Sequence, residues 1–138
     1  MAETDLKKLI RDMFPSQQYG KYWFCTVPEQ NMMGLAGYLQ YIVCIFRERE
    51  GLSVVFMDEA KDEIMQYSEK GVQGPFALIS LDVNSDLYAV GFLAEITAAL
   101  AKEKIPANAI SAYFHDHVLV PYEKKDAAMA CLNKLRNK

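Results

Sequence analysis

The residues best equipped for chemistry in this 138-residue chain fall in a few short runs. His115-Asp116-His117 carries the only two histidines, and alternation along an extended chain sets both imidazoles on one side. Two imidazoles can begin a metal site, but no third ligand follows. Ser111 as a nucleophile would need a histidine-assisted geometry that no local motif supplies. No catalytic residue and no metal ligand is therefore assigned, and His115-Asp116 reads as a tight turn. Asn84-Ser85-Asp86 offers a different chemistry, because a polar turn opening into a helix presents backbone amides to a carboxylate. Asn84 and Ser85 add hydrogen-bonding side chains, and Asp86 attracts an ammonium group. The competing reading of the same residues is ordinary capping by Ser85 or Asp86.

Two further sets are charged or sulfur-bearing. Arg47 and Arg49 alternate with Glu48 and Glu50, so a strand would turn the arginines to one side and the glutamates to the other. A charged strand end that blunts a sheet edge is one reading, and an arginine clamp for a carboxylate is the other. Cys25, Cys44 and Cys131 are odd in number and far apart, without a Cys-x-x-Cys pair. They read as buried free thiols of a reducing compartment. Gly34 and Gly37 lack the strand, helix and lysine context of a phosphate-binding loop, and no cofactor is implied.

These runs must be positioned by regular elements. Leu6, Leu9, Ile10 and Met13 recur at helical spacing, predicting a helix over residues 4–14 capped by Thr4 and stopped by Pro15. Residues 16–20 read as a connector and residues 22–27 as a strand. Gly34 and Gly37 interrupt a Met-rich stretch that reads as a loop over residues 29–37. Apolar runs at 39–46 and 52–57 around Gly51 predict a hairpin. A helix over 59–69, capped by Asp58, ends at Gly71. Gly71-Val-Gln-Gly-Pro75 reads as a linker.

The second half opens with an extended run, residues 76–82, then the Asn84 turn. A helix over 87–104 follows, with Ala89, Phe92, Leu93, Ile96 and Leu100 on one broad face and Glu95 and Lys102 opposite. Gly91, Ala94 and Ala98 form a row of small residues on its flank, explained either by close approach of another helix or subunit or by alanine's helix propensity. A strand over 109–114 sets Ile110, Ala112 and Phe114 on one face, a strand over 118–120 returns, and a helix over 123–137 closes the chain with Ala128, Cys131, Leu132 and Leu135 inward.

The totals exclude several classes. A net charge of −3 gives no general attraction to nucleic acid or anionic membrane. No apolar run approaches the ~20 residues a bilayer requires, and the N-terminus does not resemble a signal peptide. A cytoplasmic protein that does not insert directly into membranes is expected.

The halves echo each other: hairpin, strand and helix succeed one another from Arg49 to Glu69 and again from His115 to Leu135. The second half reads β-α-β-β-α and the first β-loop-β-β-α, as though its first helix had shrunk to residues 30–37. Two copies of a split β-α-β unit account for this pattern.

Over residues 79–101, from Ile79-Ser-Leu-Asp-Val-Asn-Ser-Asp86 onward, then Ile110-Ser-Ala-Tyr-Phe114 and Asp116-His-Val-Leu-Val120, the chain resembles an ACT domain. With Phe46-Arg-Glu-Arg-Glu-Gly-Leu-Ser-Val-Val55 in the first half, it resembles the small bacterial stand-alone proteins of two tandem ACT-like units. The C-terminal half is also similar to the ACT domains of the cytosolic arginine sensor. The resemblance implies an α+β fold of two tandem ferredoxin-like β-α-β units with mainly antiparallel sheet, joined edge to edge. The first unit is degenerate and spans residues 1–73 with the leading helix, and the second spans 74–138. It further implies a non-catalytic regulatory protein, a homodimer or higher homo-oligomer, that binds an amino acid or similar small metabolite at the strand–helix turn and domain interface. The implied ligand-binding residues are Asn84, Ser85, Asp86, Leu87 and Val90, the last one helical turn further on, with Ile110, Ala112 and Phe114. Where many ACT domains carry Asp-x-Pro-Gly, this chain has Asp82-Val-Asn-Ser-Asp86. The alternative is an interaction module that assembles with itself or docks on a partner without a ligand.

Overall fold

The computed structural model describes residues 3–137. In chain order the elements are α1 (Leu6–Asp12), β1 (Phe14–Gln17), β2 (Tyr22–Val27), a 3-10 segment (Glu29–Tyr41), β3 (Ile42–Glu48), β4 (Gly51–Met57), α2 (Lys61–Met65), β5 (Val72–Asp82), α3 (Phe92–Lys102), β6 (Asn108–Ser111), β7 (Asp116–Pro121) and α4 (Lys125–Arg136). The chain forms two compact units, one holding everything up to Tyr19 and from Ala77 onward, the other Gly20–Phe76. Both are mixed helix and strand units of the ferredoxin type, and the β-α-β-β-α echo is real.

In the Gly20–Phe76 unit, β4 lies between β2 and β3 and is antiparallel to both. That is a split β-α-β arrangement, with β2 flanked on its other side by the first residues of β5. Leu52, Val54 and Phe56 of β4 point inward with Cys25 and Val27, against Leu35, Ala60 and Ile64. The expected loop at 29–37 is the 3-10 segment, kinked at Tyr38. Its fit is close, because a Cβ on Gly34 would come within 2.3 Å of the Tyr67 ring. Asp58 does not cap the following helix; its carboxylate accepts the Trp23 indole N–H at 2.7 Å, and α2 is reduced to five residues.

The other unit orders its strands β1-β5-β7-β6. Its core joins Ala77, Ile79 and Leu81 of β5 and Val118 and Val120 of β7 to Phe92, Ile96 and Leu100 of α3 and Ala128 and Leu132 of α4. Leu9 and Met13, from the leading helix, are fully buried in the same core. The leading helix thus packs with the C-terminal half, whereas the sequence reading grouped residues 1–73. Asp5, not Thr4, caps α1, accepting the Lys8 amide at 3.1 Å. Pro15 does more than stop that helix: it sits in β1, opposite Leu81, on an outer strand where a missing N–H is tolerated.

Three boundaries differ from those the sequence predicts. The expected linker at 71–75 is mostly the start of β5. There Gly74 has φ +144, and a Cβ would stand 2.8 Å from the Trp23 ring and 2.9 Å from the Tyr22 carbonyl, so only glycine lets the strands approach. The long helix expected from residue 87 begins at Phe92. The hairpin turn expected at His115-Asp116 lies earlier, closed by the Ala112 amide donating to the His115 carbonyl at 3.0 Å, which makes Asp116 a strand residue opposite Ser111. Among the described residues no helix is long and apolar enough to cross a membrane.

Candidate functional site

After β5 the chain spends residues 83–91 without helix, and the reason lies in its polar side chains. Asp86 accepts the Tyr88 amide on its carboxylate at 2.8 Å and the Ala89 amide on its carbonyl at 3.0 Å. A short acidic side chain that bonds its own backbone in this way competes with helix formation. Helix begins only after Gly91, whose φ of +95 suits glycine and which supplies no side-chain cap. The loop is tied down from the N-terminal segment. Glu3 donates its amide to the Asn84 carbonyl at 2.8 Å and accepts the Asp86 amide at 3.0 Å.

This bonding relocates the electrophilic end of the site. The Ser85 and Asp86 amides, expected to receive a carboxylate, are already donated to the Val83 and Glu3 carbonyls. The first helical bond of α3 runs from the Glu95 amide to the Gly91 carbonyl at 3.0 Å. The amides of Phe92, Leu93 and Ala94 therefore have no acceptor within the helix, and they sit at its positive end.

Those amides border a cleft of about 160 Å³, lined by Ser85, Asp86, Leu87, Ala89, Gly91, Phe92, Leu93, Ala94, Ser111, Ala112 and Asp116. Asp116 is only 9% exposed and accepts the Ser85 hydroxyl at 3.4 Å. On the outer side of the same loop, Asn84, Ser85, Asp86, Leu87, Tyr88, Tyr113 and Phe114 border a shallower depression of about 310 Å³. Of the expected ligand residues, Ser85, Asp86, Leu87 and Ala112 thus line the inner cleft, and Asn84 and Phe114 the outer one. Val90 and Ile110 line neither: Val90 is 82% exposed in the loop, since the helix that was to bring it round starts after it. Gly91, Ser111 and Asp116 were not expected at the site. Gly91 in the middle of an apolar helical pattern was the available signal, because glycine there costs about 1 kcal/mol unless the backbone needs it.

The two histidines diverge in their bonding. His115 Nδ1 is 3.2 Å from the Val83 carbonyl, and His117 Nδ1 is 2.8 Å from the Ser80 hydroxyl, which accepts Gln18 Nε2 at 3.2 Å. Burial, with a smaller contribution from neighbouring His115, holds the His117 pKa below the usual histidine value. Among the described residues no group of three or more His, Cys, Asp or Glu side chains is placed to hold a metal. Among the described residues no disulfide joins the cysteines; Cys25 is buried, and that burial pushes its thiol pKa up to about 11, while Cys44 and Cys131 are half-buried and the Cys131 thiol donates to the Ala99 carbonyl at 3.4 Å.

The second charged set lies in the other unit. Arg47 is paired with Glu29, Arg49 Nη2 stands 3.7 Å from Glu50, and Glu48 accepts the Ser53 hydroxyl. Both arginines are spent on neighbouring glutamates rather than converging on a carboxylate site.

Two family models, each described as an ACT domain, match the chain in tandem over residues 1–70 and 72–134. The chain is similar to a Vibrio cholerae protein of unknown function, described as a possible transport protein, with 36% identity over 95% of each chain and a TM-score of 0.77. It shares its fold with the regulatory subunit of aspartate kinase from Thermus flavus, at 12% identity and a TM-score of 0.72 over 88% of this chain and 95% of that one. It also shares its fold with Escherichia coli aspartokinase III in complex with aspartate and ADP, at 16% identity and a TM-score of 0.68, over 94% of this chain and 34% of the kinase. No curated protein matches.

Proposed function

The chain belongs to the ACT-domain family, and on that premise we propose that it is a regulatory protein that binds an amino acid or similar small metabolite at the cleft beside the start of α3. ACT domains are regulatory rather than catalytic modules. The observation that carries the reading is one small cleft that brings helix-start amides and a carboxylate together. The cleft is lined both by the first-turn residues of α3 and by the nearly buried Asp116. A zwitterion complements both: its carboxylate accepts from the amides of Phe92 to Ala94, and its ammonium faces Asp116 and Asp86. Asn84, Ser85, Leu87, Ala112 and Phe114 shape the walls and rim, and Ile110 holds β6 beside His117. The protein works as a homo-oligomer in the cytoplasm and has no nucleic-acid partner.

The test is a thermal-shift and calorimetric screen of amino acids and related metabolites. At least one raises Tm with concentration, and Asp116→Asn weakens it by roughly tenfold or more, since an ammonium loses its buried partner. If no compound shifts the melting, the reading fails.

A second reading rests on exposed apolar groups around the same loop. Leu87, Tyr88, Val90, Tyr113 and Phe114 are all exposed, Tyr88 at 89%, and a contiguous patch of this kind suits a protein partner. Under that reading no metabolite binds, and Leu87→Ser with Phe114→Ser abolishes association with the partner.

A further inference from the structure

On the outer side of the β5–α3 loop, the depression of about 310 Å³ has a lining unlike that of the inner cleft. Three of its seven residues are aromatic, Tyr88, Tyr113 and Phe114; one, Asp86, is acidic, and none is basic. The Tyr113 and Phe114 ring centroids lie 4.8 Å apart with the planes 68° from parallel, so the two rings bound a corner instead of stacking flat. Elsewhere in the molecule aromatic rings carry cations of the same chain. Lys61 Nζ stands 3.9 Å from the Trp23 ring centroid, Lys125 Nζ 4.3 Å from that of Tyr122, and the Arg136 guanidinium 5.4 Å from that of Phe14. Among the described residues no lysine or arginine is so placed over Tyr88, Tyr113 or Phe114.

We propose that this depression is a second binding site, for an alkylated ammonium group such as the trimethylammonium head of a small metabolite. The argument is one of charge complementarity. Aromatic faces are electron-rich and attract a cation within about 6 Å of the centroid, and the Asp86 carboxylate adds a formal charge of the same sign at the same rim. Hydrogen-bonding capacity decides which cation. A guanidinium is held best when both carboxylate oxygens accept from it, but Asp86 Oδ1 already accepts the Tyr88 amide at 2.8 Å. A primary ammonium is strongly hydrated and brings three donors, which rings and Leu87 cannot satisfy. A trialkylated ammonium has no such donors to satisfy; it presents methyl surface to the rings and to Leu87 while its charge stays within reach of Asp86. The two hollows share Ser85, Asp86 and Leu87, but none of the three rings lines the inner cleft. The inference therefore does not rest on amino-acid binding there.

The experiment is an NMR titration of the isotope-labelled full chain with choline chloride at constant ionic strength. It is repeated with the uncharged carbon isostere of choline, in which a tert-butyl group replaces the trimethylammonium. Choline shifts the amide signals of residues 84–88, 113 and 114 saturably, with a Kd on the order of millimolar, and the isostere binds roughly fivefold more weakly or worse. Tyr113→Leu and Phe114→Leu keep apolar bulk and lose the aromatic face. With the rest of the spectrum unchanged, each weakens choline about two- to fivefold and leaves the isostere where it was; Tyr113→Phe keeps the affinity. Absence of a saturable shift overturns the proposal. So does an isostere that binds as tightly as choline, which would make the depression a plain apolar patch for a protein partner. Choline shifts centred on residues 92–94 and 116, or indifferent to both leucine variants, overturn it as well. The amino-acid screen is read at the inner cleft, so failure of either proposal leaves the other standing.

Discussion

The two units place the same junction, strand into helix, in very different states. After β5 the chain makes a nine-residue loop in which polar Asn84, Ser85 and Asp86 precede exposed Leu87, Tyr88 and Val90, enters α3 through a left-handed glycine, and leaves a cleft at uncommitted amides. After β2, Pro28 continues directly into the 3-10 segment, whose first residue, Glu29, is paired with Arg47 from the neighbouring hairpin. A carboxylate ligand would meet a carboxylate there rather than free amides. A repeat of topology is therefore not a repeat of the site. What separates the two junctions is loop length and the first helical side chain, acidic Glu29 in one and apolar Phe92 in the other, with the strand order held in common.

The contrast can be broken or sharpened experimentally. The largest effect is expected from Leu9→Ala, because Leu9 is fully buried in the α3 and α4 core. A loss of about 2–5 kcal/mol in denaturant unfolding is expected, whereas a loss below about 1 kcal/mol would detach the leading helix from that core. Next comes Gly91→Ala. A φ of +95 and a Leu6 Cδ2 only 3.2 Å from the new Cβ put its cost at about 1–3 kcal/mol. The same change also removes ligand-induced stabilisation. Gly37→Ala in the other unit, where a Cβ meets open space, serves as the control and leaves ligand response intact.

The third test is pH. His117 has a depressed pKa in the folded state, so the unfolded chain binds the proton more readily, and stability is present above the unfolded value of 6.5 and lost as pH falls below it. Thermal melts from pH 7.5 to 5 should show a decline in Tm that His117→Gln flattens; an equal decline in both would assign it to other groups. The smallest effect is expected for Arg47→Ala. Its exposed pair with Glu29 is worth about 0–1 kcal/mol, and ligand affinity is unchanged. A marked loss of affinity there would mean that the first unit binds as well.

Much of the fold was legible because it rests on local patterns. The β2 run of aromatic and β-branched residues, the Gly51 hairpin and the apolar stripe Phe92, Ile96 and Leu100 each carry their period in the sequence. The candidate site was only half legible. Ser85, Asp86, Leu87 and Ala112 were identified from the polar turn and the family pattern. Asp116 was set aside as a turn residue, because its burial depends on where the hairpin closes, and a shift of a few residues in that turn converts solvent-facing to core-facing. The expected amides at Asn84 to Asp86 failed for a similar reason. The Ser85 amide goes to the Val83 carbonyl and the Asp86 amide to Glu3, a partner some eighty residues away that leaves no trace in local spacing.

What the sequence determined by itself was the succession of strands and helices and its repetition, since periodicity and β-propensity act within a few residues. Tertiary structure decided the rest. It drew α1 and β1 into the core of the second half, because Leu9 and Met13 find their burial there. It delayed α3 to Gly91, because the Asp86 carboxylate and the Glu3 backbone hold the preceding loop. By the same packing it buried Asp116 in the lining of a cleft shared with Phe92, Leu93 and Ala94, whose amides have no acceptor within the helix.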